Sequence, residues 1–218
     1  MVFRDRREAG RLLGQLMAKR TWNSPIVLAL PRGGIPVALE VSEAIAAELD
    51  VIVTRKIGAP FNPEFALGAV DASGVAVIDS RALRVFGVTE DYIRSEVQAG
   101  VAEVKRRMAV YRGARPLPSL VGRDVIIVDD GIATGHTLLS AVRSLAGHEA
   151  SLIVAAAPVC PADVAQRIER DVDLLIAVEF PEEFHAVGQF YADFPQLHDD
   201  EVMSILARAW DGGQEPET

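Results

Sequence analysis

The chain has 218 residues, half of them hydrophobic, which is enough to bury one substantial core. Its formal net charge of −9 argues against a nucleic-acid-binding surface, because such a surface needs clustered lysines and arginines to meet phosphates. A small anionic ligand needs only local positive potential, so the overall charge does not exclude one.

The N-terminal stretch MVFRDRREAGRLLGQLMAKR is charged and lacks the apolar core of a signal peptide. The strongly apolar stretches, such as SLIVAAAPVC, are too short to span a bilayer. The one cysteine, Cys160, closes an apolar run, which indicates a buried thiol and a reducing compartment. The four histidines show no metal-ligand spacing. We therefore expect a cytoplasmic protein without a membrane partner or a protein-built zinc site.

Short β-branched runs alternate with amphipathic segments along the chain. Strands that alternate with helices of about 10 to 15 residues indicate parallel pairing through helical crossovers. We predict an α/β fold with a mainly parallel sheet flanked by helices, whose ligand site lies at the carboxyl ends of the strands. The predicted strands cover residues 25–30, 50–55, 124–130, 150–159 and 173–178, and helices follow at 35–49, from 135 and at 161–170.

Two segments interrupt this alternation. Residues 57–85 contain prolines and glycines that favour turns, and a hairpin is expected around the ASG at 72–74. Residues 89–113 are predicted to form a long helix, capped by Thr89 and with acidic residues in its first turn. Its apolar residues recur every three or four positions, which predicts a face that packs on the core or on a second subunit: Ile93, Val97, Val101, Val104, Met108 and Tyr111.

The stretch IIVDDGIATGHT, residues 126–137, places two carboxylates directly before a short turn of glycine and threonine. A strand that ends in Asp129 and Asp130 brings both acids to the sheet edge, and the turn opens a helix whose free N–H groups favour an anion. Gly135 lets the backbone approach a bulky oxyanion, and the threonines on either side of it offer hydroxyl donors.

Carboxylates beside a phosphate would repel it, unless they accept hydrogen bonds from the diol of a sugar attached to that phosphate. The combination therefore predicts a sugar-phosphate site. An acid pair alone would indicate an ordinary helix cap, but the apolar run and the ATGHT turn at this fixed offset favour the ligand site. Two other common phosphate motifs, G-x-x-x-x-G-K-[ST] and G-x-G-x-x-G, do not occur in the chain.

This stretch resembles the signature of type I phosphoribosyltransferases, and the order of strands and helices fits that family from about residue 25 to 180. The resemblance implies the family's fold, with phosphoribosyl pyrophosphate as co-substrate and Mg²⁺ as a cofactor chelated by the substrate. It also implies that Asp129 and Asp130 hold the ribose hydroxyls and lie near the metal. The 5′-phosphate would be wrapped by Ala133, Thr134, Gly135, His136 and Thr137.

LPRGG, residues 30–34, stands where the family has its pyrophosphate loop. Gly33 and Gly34 present backbone amides to a diphosphate and Arg32 presents a forked cation. A tight turn with an exposed arginine would fit the same residues. The resemblance further suggests a non-proline cis peptide at Pro31–Arg32.

Residues 56–70, KIGAPFNPEFALGAV, stand where the family has its mobile catalytic loop, and they resemble a subgroup of uncharacterised bacterial phosphoribosyltransferases. Arg55 and Lys56 are expected to point into the crevice and neutralise pyrophosphate, unless they are solvated surface charges. Glu64 is a candidate base or acceptor contact, or the cap of a turn. Arg32, Lys56 and Glu64 form the candidate catalytic set.

Residues 179–198, together with N-terminal residues, stand where the family builds a hood over the acceptor. Asp193 is a candidate metal contact alongside the acid pair. The candidate acceptor contacts are Phe184, Val187 and Tyr191, with Phe194 as a further ring. For each aromatic ring, packing within the hood is the alternative.

The expected function is transfer of a phosphoribosyl group to a small, planar, nucleobase-like acceptor with release of pyrophosphate. Ala133 stands where hypoxanthine/guanine enzymes carry an aspartate, and AAAPVC lacks their lysine, so the acceptor stays open. A regulatory module that binds the ligand without turnover and a plain phosphate-binding protein are the alternatives. We expect one domain over residues 1–210, a disordered tail at 211–218 and, from the resemblance, a homodimer.

Overall fold

The computed structural model describes residues 1–60, 62–70, 76–78, 83, 87–113, 115 and 118–211, without the side chains of 62–66, 77 and 211. The helices in these ranges are α1 (Arg6–Met17), α2 (Gly34–Ala44), α3 (Glu90–Arg112), α4 (His136–Ser144), α5 (Ala162–Ile168) and α6 (Asp199–Asp211). The strands are β1 (Ile26–Ala29), β2 (Glu48–Val51), β3 (Arg55–Ala59), β4 (Asn62–Val70), β5 (Ala76–Ile78), β6 (Asp124–Val128), β7 (Leu152–Val159) and β8 (Leu174–Glu179).

Five parallel strands form the main sheet, in the order β2-β1-β6-β7-β8. The last residues of β1 and β6, Ala29 and Val128, lie opposite each other, and Val128 lies opposite Ala156 of β7 on its other side. The predicted parallel sheet is confirmed. The loops that follow β1 and β6 therefore leave the sheet side by side.

Helices cover both faces of this sheet. Successive residues of β6 point to opposite faces, so that Ile126 packs with α1, α2, α3 and α6, while Ile127 packs with α4 and α5. Both side chains are fully buried. Burial on both faces explains why these strands appear in the sequence as unbroken apolar runs instead of alternating ones.

A separate antiparallel sheet contains β3, β4 and β5. Val70 at the end of β4 lies opposite Ala76 at the start of β5, which confirms the pairing of the predicted hairpin; its connection at 71–75 lies outside the described residues. The long helix α3 begins as predicted, with Thr89 Oγ1 accepting a hydrogen bond from the Tyr92 backbone N–H at 3.3 Å. Its apolar face packs against both sheets of the same chain.

The largest differences from the predicted element boundaries lie on either side of β2. The helix after β1 ends at Ala44 and does not continue to residue 49, because Ala46 adopts a left-handed φ of +51° and the chain turns into β2. The second strand ends at Val51, because its pairing partner β1 ends at Ala29. Arg55, predicted to close that strand, begins β3.

The N-terminal residues pair with the segment that follows β8, residues 179–198, which we call the hood segment. Phe3 donates its backbone N–H to the carbonyl oxygen of Phe190 at 2.8 Å, and its own carbonyl accepts from Ala192 at 2.8 Å. A short 3-10 turn, Val187–Phe190, lies directly before this pairing. The hood segment is thereby joined to the start of α1.

Cys160 lies at the end of β7 with no exposed surface, as predicted. Burial raises the pKa of its thiol to about 12, so the thiolate required of a nucleophile is disfavoured. Among the helices that the structure describes, none is long and apolar enough to cross a membrane.

Candidate functional site

The acid pair lies directly after β6 at the carboxyl edge of the main sheet. The backbone N–H of Asp129 donates to the carbonyl of Ala156 at 3.2 Å, which extends the pairing with β7, and Asp129 Oδ1 accepts from the Asp130 N–H at 2.9 Å. Burial and the neighbouring charge of Asp130 raise the pKa of the Asp129 carboxyl above its ordinary value. Hydrogen-bond donors or a cation from a ligand would therefore stabilise this pair.

The turn after the acid pair has the backbone geometry that an anion site needs. Gly135, the residue before α4, has a φ of +76°, a conformation that favours glycine. The first backbone N–H groups of α4 have no partner within the helix, as at any helix start. The side chains of Ala133, Thr134, His136 and Thr137 are exposed around this turn.

The glycines of LPRGG touch the acid pair. A Cβ atom placed on Gly33 would lie 2.0 Å from Asp130 Oδ2, and one on Gly34 would lie 2.6 Å from the carbonyl oxygen of Val128. A larger residue would collide with the Asp130 carboxylate at the first position and with the backbone at the end of β6 at the second. The peptide bond Pro31–Arg32 is cis, as the resemblance suggested.

Arg32 points from this loop towards α3 and α6. Its Nη1 lies 3.9 Å from Asp199 Oδ1, and the hydroxyl of Tyr111 donates to the same carboxylate oxygen at 3.0 Å. A cleft of about 450 Å³ opens here, lined by Pro31, Arg32, Arg106, Arg107, Val110, Tyr111 and Asp199. Three guanidinium groups thus border a cleft next to the loop that touches the acid pair.

The loop region that follows β2 differs in part from expectation. The Arg55 guanidinium lies against α3, where Nη1 donates to the carbonyl of Ala99 at 3.3 Å and Nη2 lies 3.9 Å from Glu96 Oε2. The expected orientation towards the strand-end crevice is not observed, because Arg55 begins the sheet that packs on α3. Lys56 lies in β3, opposite Ala69. Glu64 lies in β4, and its side chain is outside the described part of the chain.

The aromatic side chains of the hood segment pack mainly on one another. Tyr191 is 6% exposed, Phe194 stacks on its ring at a centroid distance of 4.7 Å, and its hydroxyl donates to the Asp130 carbonyl at 2.6 Å. The ring face that was expected to meet an acceptor is therefore covered, and Tyr191 instead fastens the hood segment to the acid pair. Phe184, half-buried, stacks on Phe190 at 5.6 Å.

Two further hood residues have distinct surroundings. Val187 covers Gly131, where an added Cβ would come within 2.4 Å of Val187 Cγ1. Asp193 is exposed, and its side chain lines another cleft, between the hood segment and α6. Within the described ranges, no three Asp, Glu, His or Cys side chains come together as a metal site. Asp193 therefore does not complete a three-residue site with the acid pair.

One residue of the site was missed from the sequence. Arg6 Nε donates to Asp130 Oδ2 at 2.8 Å, in an ion pair between residues 124 positions apart. Arg6 stands in a charged N-terminal stretch that contains several other arginines. Nothing in its local sequence distinguishes it from them, and the pairing becomes apparent only in the folded chain.

The chain matches a known protein family over most of its length. A model of the phosphoribosyl transferase domain matches residues 5–194. The chain belongs to the phosphoribosyltransferase family. The predicted family and fold are therefore confirmed, and the acid pair, the glycine loop and the hood segment up to Phe194 all fall within the matched region.

One solved structure and two curated relatives are similar to the chain. The crystal structure of TT1426 from Thermus thermophilus superposes with a TM-score of 0.89, at 40% identity over 95% of this chain and 99% of that one. A Mycobacterium tuberculosis protein, provisionally named a phosphoribosyl transferase, is 40% identical over 208 residues, which are 95% of this chain and 47% of the relative. The chain thus spans about half the length of that curated relative. A ribose-phosphate pyrophosphokinase from Shewanella oneidensis is 33% identical over 143 residues, covering 64% of this chain and 38% of the relative.

Proposed function

We propose that this phosphoribosyltransferase transfers the 5-phosphoribosyl group from phosphoribosyl pyrophosphate to a nitrogen of a small, planar, nucleobase-like acceptor, with release of pyrophosphate. One contact carries the proposal: Gly33, after β1, lies against the carboxylate of Asp130, after β6. A glycine loop, an acid pair and the first turn of α4 therefore share one edge of the sheet. A substrate with a diphosphate, a diol and a terminal phosphate requires these three kinds of group side by side.

Each part of the activated sugar would meet a different loop. Asp129 and Asp130 would accept hydrogen bonds from the ribose hydroxyls. The amides of Gly33 and Gly34 would meet the pyrophosphate, with Arg32 as its cationic partner. The 5′-phosphate would be wrapped by Ala133, Thr134, Gly135, His136 and Thr137.

Mg²⁺ fits this site as a partner of the bound substrate. The two aspartates are oxygen donors of the kind that Mg²⁺ prefers, but the described side chains form no complete protein shell around a metal. Oxygens of the sugar and of the pyrophosphate would have to supply the remaining ligands. When bound, the cation offsets the negative charge of the pyrophosphate.

Transfer breaks the bond between the anomeric carbon and a pyrophosphate oxygen and forms a bond to the acceptor nitrogen, which then loses a proton. A transition state with little bonding to either group leaves the protein mainly positioning and electrostatic work. Arg32 and Lys56 would balance the charge on pyrophosphate, and Glu64 would accept the proton. Phe184 and Val187 would contact the acceptor ring, and closure of the β3–β4 strand pair over the site would exclude water.

Gly33→Ala is expected to weaken the binding of ribose 5-phosphate by about tenfold or more, because the new methyl group would displace the Asp130 carboxylate. Titration calorimetry on the purified variant measures this change. Gly10→Ala is the matched control, because its methyl group would meet the Val37 carbonyl at 2.8 Å between α1 and α2. That variant should lose stability without a selective loss of binding, and equal binding losses in both would contradict the proposed role of Gly33.

Arg32→Ala is expected to weaken inhibition by added pyrophosphate by about tenfold, since a charge-assisted bond to the diphosphate is lost. Binding of ribose 5-phosphate should change by less than about twofold, because that ligand carries no diphosphate. The inhibition constant for pyrophosphate is the measurement. Arg94→Ala is the control: Arg94 is an exposed arginine of α3 that pairs with Asp91. An unchanged constant in Arg32→Ala would remove Arg32 from the diphosphate site.

The proposed reaction is tested by incubating the protein with Mg²⁺, phosphoribosyl pyrophosphate and a panel of nucleobases while pyrophosphate release is followed. Release that depends on one base identifies the acceptor. Thermal stabilisation by phosphoribosyl pyrophosphate without turnover on any base would instead support a regulatory module. An absence of both would leave only a phosphate-binding protein of this fold.

A further inference from the structure

A basic side chain from the first turn of α1 reaches the acid pair. Only 10% of the Arg6 side chain and 14% of the Asp130 side chain are exposed where Arg6 Nε meets Asp130 Oδ2 at 2.8 Å. Arg6 Nη1 donates to the carbonyl oxygen of Pro195 at 2.8 Å. One guanidinium group therefore joins the acid pair to the hood segment.

Aromatic rings of the hood segment complete this connection. Arg6 Cζ lies 3.7 Å from the centroid of the Phe194 ring, which is within the range of a cation–π interaction. Phe194 stacks on Tyr191, whose hydroxyl donates to the Asp130 backbone carbonyl. The contacts thus run from the Asp130 side chain through Arg6, Phe194 and Tyr191 back to the Asp130 backbone. A displacement of the hood segment would disturb Asp130 at both its side chain and its backbone.

We propose that Arg6 positions the Asp130 carboxylate for the ribose diol, so that the affinity for the sugar depends on the hood segment. This inference rests on the proposed function, in which Asp130 holds a ribose hydroxyl. Asp130 Oδ2 accepts a hydrogen bond from Arg6 and lies against Gly33, so the carboxylate has little freedom to rotate. The other oxygen, Oδ1, is therefore held in one orientation for the sugar. The positive charge of Arg6 also offsets part of the repulsion between the acid pair and the phosphates.

The arrangement is specific to arginine. A planar guanidinium can donate to a carboxylate and to a carbonyl at the same time while its face lies on an aromatic ring. A lysine ammonium keeps the charge but lacks the forked geometry and the stacking face. Arg6→Lys therefore separates the contribution of charge from the contribution of orientation.

The test compares two ligands that differ only in the sugar hydroxyls: ribose 5-phosphate and tetrahydrofurfuryl phosphate, which keeps the ring and the phosphate ester. Dissociation constants are measured for the wild-type protein and for Arg6→Gln. We expect Arg6→Gln to lose about tenfold or more in affinity for ribose 5-phosphate and less than about twofold for the analogue, since the hydrogen bond at stake is charge-assisted. The affinity of Arg6→Lys for ribose 5-phosphate should lie between those of the wild type and of Arg6→Gln.

Two control variants complete the test. Arg7→Gln, an exposed neighbour on α1, should leave both constants unchanged. Phe194→Leu keeps the ion pair but removes the aromatic ring that the guanidinium contacts, so it should cause a smaller selective loss of affinity for ribose 5-phosphate. This variant replaces Arg6→Gln in the test if Arg6→Gln does not fold. Losses of equal size for both ligands, or no loss, would overturn the positioning role. A wild-type protein that does not distinguish the two ligands would overturn ribose binding itself, and the role of Arg6 with it.

Discussion

The double substitution Asp129→Asn with Asp130→Asn is expected to abolish phosphoribosyl transfer and to weaken ribose 5-phosphate binding by at least about a hundredfold. Each asparagine keeps the shape of the side chain but offers the sugar a weaker acceptor, and two charge-assisted hydrogen bonds are lost together. Calorimetry and the pyrophosphate-release assay measure the two effects. Inorganic phosphate should still bind the turn around Gly135, because that contact does not need the diol.

The fold should survive this change. Because burial raises the pKa of Asp129 above its ordinary value of 3.8, the folded state disfavours the ionised carboxylate and has lost stability by neutral pH relative to acid. A raised pKa in the folded state means that stability is lost as the pH rises through that pKa, and that no loss occurs in acid, where both states are protonated. Asp129→Asn alone should therefore be at least as stable as the wild type at neutral pH. This advantage should vanish below about pH 4.

Glu182→Gln with Glu183→Gln is the matched control, since it removes two adjacent exposed carboxylates from the chain. Its affinity for ribose 5-phosphate should stay within about twofold of the wild type, because exposed charges are screened by salt and neither side chain is assigned a contact with the sugar. If the aspartate variant lost stability and binding to the same extent, the acid pair would be a structural cap of α4 and the proposed function would lose its ribose site.

Arg112→Met is expected to lower the free energy of unfolding by about 3 to 5 kcal/mol, the cost of breaking a buried ion pair from one side. The Arg112 guanidinium donates to Asp50 Oδ1, and the side chains are only 3% and 0% exposed. The other oxygen, Asp50 Oδ2, is buried and accepts no hydrogen bond from the residues that the structure describes. Burial already raises the pKa of Asp50 against the opposing charge of Arg112, so the carboxylate would remain buried with less compensation.

Urea unfolding at several pH values measures this effect. The loss should shrink towards acid pH, because a protonated Asp50 no longer needs the cation, and it should be largest above the raised pKa. Arg107→Met is the control on the same helix: its exposed pair with Glu103 should contribute no more than about 1 kcal/mol. The double variant Arg112→Met with Asp50→Leu should regain most of the lost stability. If Arg112→Met lowered the free energy of unfolding by less than Arg107→Met does, the Arg112–Asp50 pair would not be what holds α3 on the sheet.

The sheet and the acid pair were predictable because both are local features of the sequence. An unbroken apolar run indicates a strand buried on two faces, and alternation with helices indicates parallel pairing. Asp129 and Asp130 follow such a run directly, so their place at the strand end required no knowledge of distant residues. The cap at Thr89 and the hairpin partners of β4 were predictable for the same reason.

The predicted side-chain roles that differ from the structure depend on which surface the side chain meets. Arg55 was expected in the crevice but lies on α3, because the chain starts a new sheet at that residue. Tyr191 was expected to face an acceptor but is covered by Phe194 and bonded to the Asp130 backbone. The type of a residue limits the contacts that it can make, but the packing of neighbouring elements determines which of these contacts form.

By itself, the sequence determined the order along the chain of the five main-sheet strands, the acid pair at a strand end and the glycines that a phosphate site requires, because each strand or motif is encoded within a dozen residues. Only the tertiary structure decided that Gly33 lies against Asp130, that Arg32 borders a basic cleft and that Arg6 reaches the acid pair. These contacts join residues that are from 74 positions apart, for Arg32 and Arg106, to 167 positions apart, for Arg32 and Asp199. Their formation depends on how helices and loops pack on the sheet, which no local pattern of residues specifies.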